Sequence, residues 1–315
     1  MPRLTAMNTL RHHLADVVRA ATSATLLALA APAFAQAPTD FSQIEIKTTK
    51  LADDFYTLEG QGGRISVLTG ADGVLLVDAQ FAPLTDKLVA AIRRFTDKPI
   101  RFLVNTHVHP DHTGGNENFA RLGATIFARE TLRMRLEHPT PGADGSARPV
   151  APPAALPVVT YEQAISLHID GERVVLWPID KAHTDGDTVV VFPAHDILAV
   201  GDIFRSVGYP FVDLSSGGSL AGELEGLSEV VDRAGPATRI IPGHGPIVDR
   251  TALVAQRDLI LAVRAKVVAL IAQGKTADEV VASHPTAPWD ATVPQGAQTA
   301  DRFVRWVYAE SVATK

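Results

Sequence analysis

The segment at residues 105–119 carries a concentration of side chains that bind metal ions. Three histidines and one aspartate fall within six positions, as His107, His109, Asp111 and His112. The apolar residues just before it, 100–104, predict a buried strand. Alternate residues of an extended chain share one side, so His107 and His109 point together, and the following turn can aim the other two groups at the same point. Neutral imidazoles and a carboxylate that converge in this way form a site for one or two borderline metal ions, with zinc as the default.

The N-terminal residues 1–35 have the features of a secretory signal peptide. Arginines begin the segment, an apolar stretch follows at residues 20–31, and Ala33-Phe34-Ala35 places small residues where a signal peptidase cleaves. We therefore predict cleavage before Gln36 and a periplasmic or secreted protein. The apolar stretch is too short to span a bilayer as a permanent helix, so we expect no membrane span in the mature chain.

The charge and cysteine content exclude several classes of function. Removing residues 1–35 takes away three arginines and one aspartate, which leaves 26 basic and 34 acidic residues. Such an acidic chain is a poor candidate for binding nucleic acid, and we expect a small-molecule substrate instead. The chain has no cysteine, so disulfides, thiolate ligands and a cysteine nucleophile are all excluded. The sequence leaves the oligomeric state open.

Strand signals and helix signals alternate along the rest of the chain. Residues 65–69 and 74–77 are apolar on both sides of a glycine-containing turn, as in a β-hairpin. Hydrophobic spacing predicts helices at residues 83–95, 219–234, 251–273, 276–282 and 299–311. This alternation favours an α/β fold.

Two stretches lack such patterns, a polar leader at residues 36–50 and a proline-rich irregular loop at 137–160. A loop of that length in a compact domain is usually functional or disordered. We predict one domain over residues 36–250, after the signal peptide at 1–35. A helical extension over 251–315 is expected to pack on its core.

Three further ligand-type side chains each follow a predicted strand and are next to a glycine or a glycine-containing loop. They are His183 in Ala-His-Thr-Asp-Gly-Asp, Asp202 in Val-Gly-Asp and His244 in Pro-Gly-His-Gly. In α/β folds, strand ends at one edge of a sheet come together to form binding sites. Each motif alone would be ordinary turn chemistry, but all of them together predict one site.

With these motifs, the sequence resembles the metallo-β-lactamase superfamily over residues 48–250. The resemblance implies an αββα four-layer sandwich with C-terminal helices and two metal ions, zinc first, with iron or manganese as other candidates. By the family pattern, the first ion would be held by His107, His109 and His183. The second would be held by Asp111, His112 and His244. Asp202 resembles the bridging carboxylate of glyoxalase II-like members.

The resemblance also implies a dinuclear zinc hydrolase whose metal-bound hydroxide attacks the carbonyl of an ester, lactone or thioester. The predicted signal peptide would direct this hydrolase to the periplasm. Asp111 is expected to ligate and also to accept a hydrogen bond from the nucleophile. A β-lactamase is one alternative, which export favours, although true β-lactamases usually place cysteine or serine where Asp202 lies. A mononuclear iron persulfide dioxygenase, with two histidines and one carboxylate as ligands, is the other. Asp78 is a candidate either to orient a ligating histidine or to cap a turn, and Tyr209 is a candidate substrate contact.

Overall fold

The computed structural model describes residues 40–142, 145–294, 296 and 298–313. The predicted signal peptide at residues 1–35 lies outside these residues. The strands are β1 Lys47–Lys50, β2 Phe55–Glu59, β3 Ile65–Gly70, β4 Gly73–Val77, β5 Ile100–Val104, β6 Thr125–Arg129, β7 Val159–Tyr161, β8 Ile165–Ile169, β9 Glu172–Pro178, β10 Thr188–Phe192, β11 Ile197–Arg205 and β12 Arg239–His244. The α-helices are α1 Thr85–Ile92, α2 Pro110–Thr113, α3 Asn116–Arg121, α4 Glu130–Glu137, α5 Leu220–Arg233, α6 Arg250–Ala272, α7 Ala277–Ala282 and α8 Ala300–Ala313.

The strands form two sheets that pack face to face. The first sheet has seven strands in the order β1 to β7, and the second has five in the order β12, β11, β10, β9, β8. Strands β4 to β7 run parallel to one another, as do β11 and β12, while the other pairs are antiparallel. The chain therefore has the mixed α/β, two-sheet architecture that the sequence predicts.

Three apolar layers hold the two sheets and their helices together. Within β4, the buried side chains alternate: Leu75 faces the second sheet, and Leu76 packs with Leu88 of α1 on the outer side. Strand β11 repeats the pattern, because Ala199 faces the first sheet and Val200 packs beneath α5 and α6. Strands that are buried on both faces read as continuous apolar runs, which is why these segments were easy to identify in the sequence.

The C-terminal helices cover the outer face of the second sheet. Ile260 and Val263 of α6, and Phe303 and Val307 of α8, are buried in the same apolar layer as Val230 of α5. The boundary at residue 250 stays a prediction. Within the described part of the chain, none of the helices combines the length and apolarity that crossing a bilayer requires.

Several local predictions were wrong. The polar leader contains strand β1, whose residues pair with β2 although their side chains are mostly exposed. The helix predicted at 83–95 is shorter, since a 3₁₀ turn occupies Ala82–Leu84 and α1 ends at Ile92. The loop at 137–160 contains a 3₁₀ turn at Pro153–Ala155 and the start of β7.

Candidate metal centre

The seven side chains singled out in the sequence lie together at one edge of the sandwich. His107 and His109 follow β5 of the first sheet, and Asp111 and His112 lie in the single turn of α2. The second sheet contributes the others: His183 from the loop between β9 and β10, Asp202 from β11 and His244 from the end of β12. The structure thus brings all of the predicted ligands into one place.

The seven side chains form two groups of potential ligands. The first group contains His107, His109, His183 and Asp202, and the second contains Asp111, His112 and His244. Within each group, one ligand atom from every residue lies within 4.8 Å of the others. A site for one ion or for two adjacent ions can be built from such a set.

The second group and Asp202 have the spacing of a tetrahedral cage. His244 Nε2 lies 3.2 Å from Asp111 Oδ2 and 3.3 Å from Asp202 Oδ1. His112 Nε2 lies 3.7 Å and 3.5 Å from the same two oxygens, and 3.5 Å from His244 Nε2. Ligands bound tetrahedrally to zinc at about 2.0–2.1 Å are separated by roughly 3.3 Å. The residues therefore fit a zinc-sized ion.

Asp202, a member of the first group, also lies close to the second group. Its Oδ1 faces the second group, and its Oδ2 lies 3.8 Å from His183 Nε2 in the first. In the described part of the chain, neither Asp202 Oδ1 nor His107 Nε2 has a hydrogen-bond partner, although both are buried. A buried polar atom without a partner is costly, so each of these atoms is suited to a bound cation.

Outer contacts fix the orientation of four of the five histidines. The contacts are His107 Nδ1 to Thr106 Oγ1 at 3.1 Å, His109 Nε2 to Asp213 Oδ2 at 2.9 Å, His112 Nδ1 to Asp78 Oδ2 at 2.8 Å and His183 Nδ1 to the Phe211 carbonyl at 2.8 Å. In a neutral imidazole whose outer nitrogen donates its proton in this way, the inner nitrogen keeps its lone pair. Metal-binding histidines almost always have such a partner.

Burial keeps two histidines of the first group, His107 and His183, in the neutral form that binds metal. Removal from water holds the pKa of His107 well below its ordinary value. Burial, reinforced by the neighbouring charge of His109, lowers the pKa of His183 to about 3. At neutral pH these imidazoles therefore carry no charge.

Neighbouring carboxylates raise the pKa values of the two histidines in the second group. Burial alone would lower the pKa of His112, but Asp111 and Asp78 outweigh it and raise that pKa well above its ordinary value. Burial likewise opposes the rise at His244, where Asp202 and Asp111 raise the pKa. The carboxylates thus favour the protonated form of both histidines, so a cation that binds here competes with protons.

Two glycines allow the close approach of β11 and β12 at the centre. Gly201 has φ +55°, and the register between β11 and β12 shifts on either side of it. This irregularity turns the following residue, Asp202, toward the ligands while the strand continues to Arg205. A Cβ on Gly243 would overlap Asp202 Oδ1. The prediction that the strand ends before Asp202 was therefore wrong, because the ligand lies within β11.

Sequence reasoning missed two charged residues that contact the ligands. Asp213, in the loop after β11, lies against His109, and Arg205 Nη1 donates to Asp202 Oδ2 at 2.7 Å. The only sequence signal for either was a position in the glycine-rich stretch at residues 205–218, which follows Asp202. Of the two further candidates, Asp78 does contact a ligating side chain, His112. That Tyr209 contacts substrate stays a prediction; its buried ring stacks on Phe303 and its hydroxyl donates to Asp290.

Comparison with known proteins identifies the family. The sequence profile described as "Metallo-beta-lactamase superfamily" matches residues 59–266, about two thirds of the chain. The protein belongs to the metallo-β-lactamase superfamily. Among curated members, it is 25% identical over 195 residues to the metallo-beta-lactamase type 2 of Bacillus cereus, which covers 62% of this chain and 71% of that relative. The family and the His/Asp cluster together indicate binding of divalent metal.

Solved structures of other proteins share the fold. A metallo-beta-lactamase from Pontibacter korlensis aligns with a TM-score of 0.58 at 19% identity, over 69% of this chain and 99% of its own. The stereoselective inverting sec-alkylsulfatase Pisa1 from Pseudomonas sp. aligns with a TM-score of 0.64 at 17% identity, over 84% of this chain and 50% of its own. The chain thus spans about half the length of that sulfatase. At these identities the likeness establishes the αββα sandwich alone.

Proposed function

We propose that this protein is an exported hydrolase that binds two zinc ions and cleaves a carbonyl ester, lactone or thioester. His107, His109 and His183 would hold one ion, and Asp111, His112 and His244 the other, with Asp202 between them. Bound zinc ions supply an activated water molecule and polarise a carbonyl oxygen. Membership of a superfamily of metal-dependent hydrolases supports the proposal.

One observation carries the dinuclear form of the proposal: a single carboxylate, Asp202, turns one oxygen to each ligand group. A mononuclear site would need only one group, and it would leave the inward nitrogens of the other without a role. The two groups therefore favour a hydrolase over the mononuclear iron dioxygenase.

We assign to Asp111 the role of orienting the attacking water molecule. Its side chain is 22% exposed, whereas those of His107, His112, His183 and Asp202 are almost fully buried. Burial would raise the pKa of Asp111, but the charge of His112 and a hydrogen bond from His244 hold it well below its ordinary value. An ionised carboxylate at the open side of the site can accept a hydrogen bond from water and orient it for attack.

Arg205 bears on the choice between ester and β-lactam substrates. A bridging aspartate adds negative charge to the ion pair, which weakens its support for an anionic nitrogen leaving group. The guanidinium of Arg205 pairs with Asp202 and offsets part of that charge. We still expect esters and thioesters to be cleaved better, because their leaving groups make less demand on the ions.

The experiment has two parts. Metal analysis of the purified mature protein should give close to two zinc ions per chain, and saturation at one ion, or iron with oxygen consumption, would contradict the dinuclear hydrolase. A hydrolysis panel on the zinc-loaded protein should include lactones, thioesters, β-lactams and, in view of the structural relative, sulfate esters. A kcat/KM of about 10⁶ M⁻¹s⁻¹ or more for any β-lactam would overturn the expected preference.

Export is tested separately, by N-terminal sequencing of the protein from the periplasmic fraction. We expect the sequence to begin at or near Gln36. A mature protein that keeps residues 1–35, or that stays in the cytoplasm, would contradict the proposed location.

A further inference from the structure

The proline-rich loop forms one wall of a cavity of about 320 Å³ near the candidate centre. Loop residues from Pro139 to Ala155 line one side, and Val108, Pro110 and Leu136 line the other. The volume is at the small end of the range for sites that bind organic molecules. Nothing in the proposed chemistry uses this cavity.

Residues of the cavity wall lie next to the centre, in side-chain contact and along the chain. Arg148, in its wall, donates from Nη2 to Asp213 Oδ2 at 3.1 Å. The same oxygen lies 2.9 Å from Nε2 of His109. Val108 and Pro110, also in the wall, are the chain neighbours of His109. The cavity wall therefore lies directly beside the candidate ligands, one residue from His109 on either side.

The lining of the cavity is apolar. Nine of the fourteen residues that line it are alanine, valine, leucine or proline. Val150, at the rim, leaves 65% of its surface exposed. Exposed apolar surface that continues into an apolar cavity is typical of a binding site rather than of ordinary protein surface.

The two cationic side chains in the lining already have anionic partners. Arg135 contacts both carboxylate oxygens of Asp185, at 2.5 and 2.6 Å. Arg148 is paired with Asp213, which is buried. Since each guanidinium faces a carboxylate, the cavity offers no uncompensated positive charge to attract an anion.

Hydrogen bonds hold the loop in this position. The backbone N–H of Ala151 donates to the carbonyl of Leu136 at 3.0 Å, and Thr140 Oγ1 donates to the carbonyl of Ser215 at 2.8 Å. The cavity is therefore present before a ligand arrives, which lowers the entropic cost of binding.

We infer that this cavity binds an uncharged apolar arm of the substrate, an alkyl or aryl group attached to the bond that is cleaved. For catalysis, the inference rests on the proposed hydrolase function, and it adds the class of substituent. Burying one methylene contributes roughly a fourfold gain in affinity, so kcat/KM should rise by about that factor for each methylene until the cavity is full.

The test is a titration with two fluorescent probes of similar shape. N-phenyl-1-naphthylamine is uncharged, and 8-anilino-1-naphthalenesulfonate carries a negative charge. The variant Ala151→Phe fills the cavity, and Ala154→Phe is the matched control, because Ala154 is exposed and lies outside the lining. Val150→Lys, at the exposed rim, serves as a second variant that does not disturb packing.

We expect Ala151→Phe and Val150→Lys to weaken binding of the uncharged probe by about tenfold or more, while Ala154→Phe leaves it unchanged. Equal binding of the uncharged probe to wild type and to both cavity variants would overturn the inference. Tighter binding of the sulfonate than of the uncharged probe would overturn it as well.

A series of 4-nitrophenyl esters from acetate to octanoate completes the test. The gain in kcat/KM with chain length should appear in wild type and Ala154→Phe and be lost in Ala151→Phe. A protein that cleaves no ester but binds the uncharged probe in the cavity would contradict the proposed function and support the cavity as a binding site. If the protein hydrolysed esters without any dependence on chain length, and the probe binding did not depend on the cavity, the proposed function would be supported and the cavity would be excluded as a binding site.

Discussion

Histidines and carboxylates connect the two sheets at both ends of the sandwich. At the candidate centre, five histidines and two aspartates come from both sheets. At the other end, His195 lies in the turn between β10 and β11 and contacts Glu172 Oε2 at 2.6 Å and Asp54 Oδ1 at 2.9 Å. Glu172 belongs to the second sheet, and Asp54 immediately precedes β2 of the first.

The two ends differ in how many ring nitrogens remain available. Both nitrogens of His195 face carboxylates, so this side chain has no lone pair left for an ion. At the centre, His107 and His112 each use one nitrogen in an outer contact and turn the other inward. A histidine near a carboxylate is therefore a candidate ligand only if its second ring nitrogen is free to bind an ion. A histidine with carboxylates at both nitrogens, such as His195, only connects the two sheets.

Removing a histidine whose free ring nitrogen faces the centre should have the largest effect on metal content and activity. His112→Ala is expected to lose one ion per chain and to lower kcat by at least about a thousandfold, since metal activation contributes several kcal/mol. His195→Ala is the matched control and should keep both ions and full activity. Metal analysis and steady-state kinetics on both variants test the comparison. Equal ion content in the two variants would remove the distinction between the ends.

Removing an outer contact should have a smaller effect on the same chemistry. Asp78→Asn replaces the carboxylate that holds His112 Nδ1 with an amide that suits this position poorly. We expect zinc affinity to fall by about 10- to 100-fold, with the fold intact. Competition with a chelator of known affinity measures this change. An unchanged affinity would assign Asp78 to capping its turn instead.

The link at His195 should appear in stability rather than in activity. Burial lowers the pKa of His195, but Asp54 and Glu172 outweigh it and raise the pKa above its ordinary value. A raised folded-state pKa means that the stabilisation is complete below the unfolded-state pKa of about 6.5 and is lost as pH rises through the folded-state value. His195→Gln should therefore lower the free energy of unfolding by about 1–2 kcal/mol near pH 6.

Urea unfolding of wild type and His195→Gln, at a fixed zinc concentration, measures this difference. It should shrink as pH rises through the folded-state pKa of His195. If the difference in the free energy of unfolding stayed constant from about pH 6 to about pH 9, the charge on His195 would not contribute to stability. Packing of its ring would then account for the whole difference.

The smallest expected effect belongs to the exposed partner of the same link. Asp54 keeps 44% of its side chain exposed, and solvent screens its attraction to His195. Asp54→Asn should cost under about 1 kcal/mol near pH 6, less than His195→Gln. The same urea measurement checks this order. If Asp54→Asn lost more free energy of unfolding than His195→Gln, the order would be wrong.

The sequence allowed prediction of the ligand positions because local patterns encode them. Strands buried on both faces appear as apolar runs, and the ligand-type residues follow the ends of these runs, near glycine. The loop after β9 illustrates this, since His183 was placed correctly from its neighbours alone. Whether these residues bind zinc stays a prediction.

Contacts between distant segments could not be predicted in the same way. Asp213 meets His109 across 104 positions, and Arg148 joins them from a third segment. Nothing in the local pattern around these residues signals the contact. Asp202 was assigned to a loop because its glycine resembles a turn, whereas the pairing of β11 with β12 extends the strand past it.

The candidate ligands extend from residue 107 to residue 244 and come from both sheets, in a chain with no cysteine. Ions bound there would cross-link distant parts of the chain, as disulfides do in many exported proteins. A ligand present at about a hundred times its dissociation constant stabilises the folded state by roughly 2.7 kcal/mol. Zinc supply would then set how long each molecule resists proteolysis, so that scarcity would deplete the protein itself as well as its catalytic capacity.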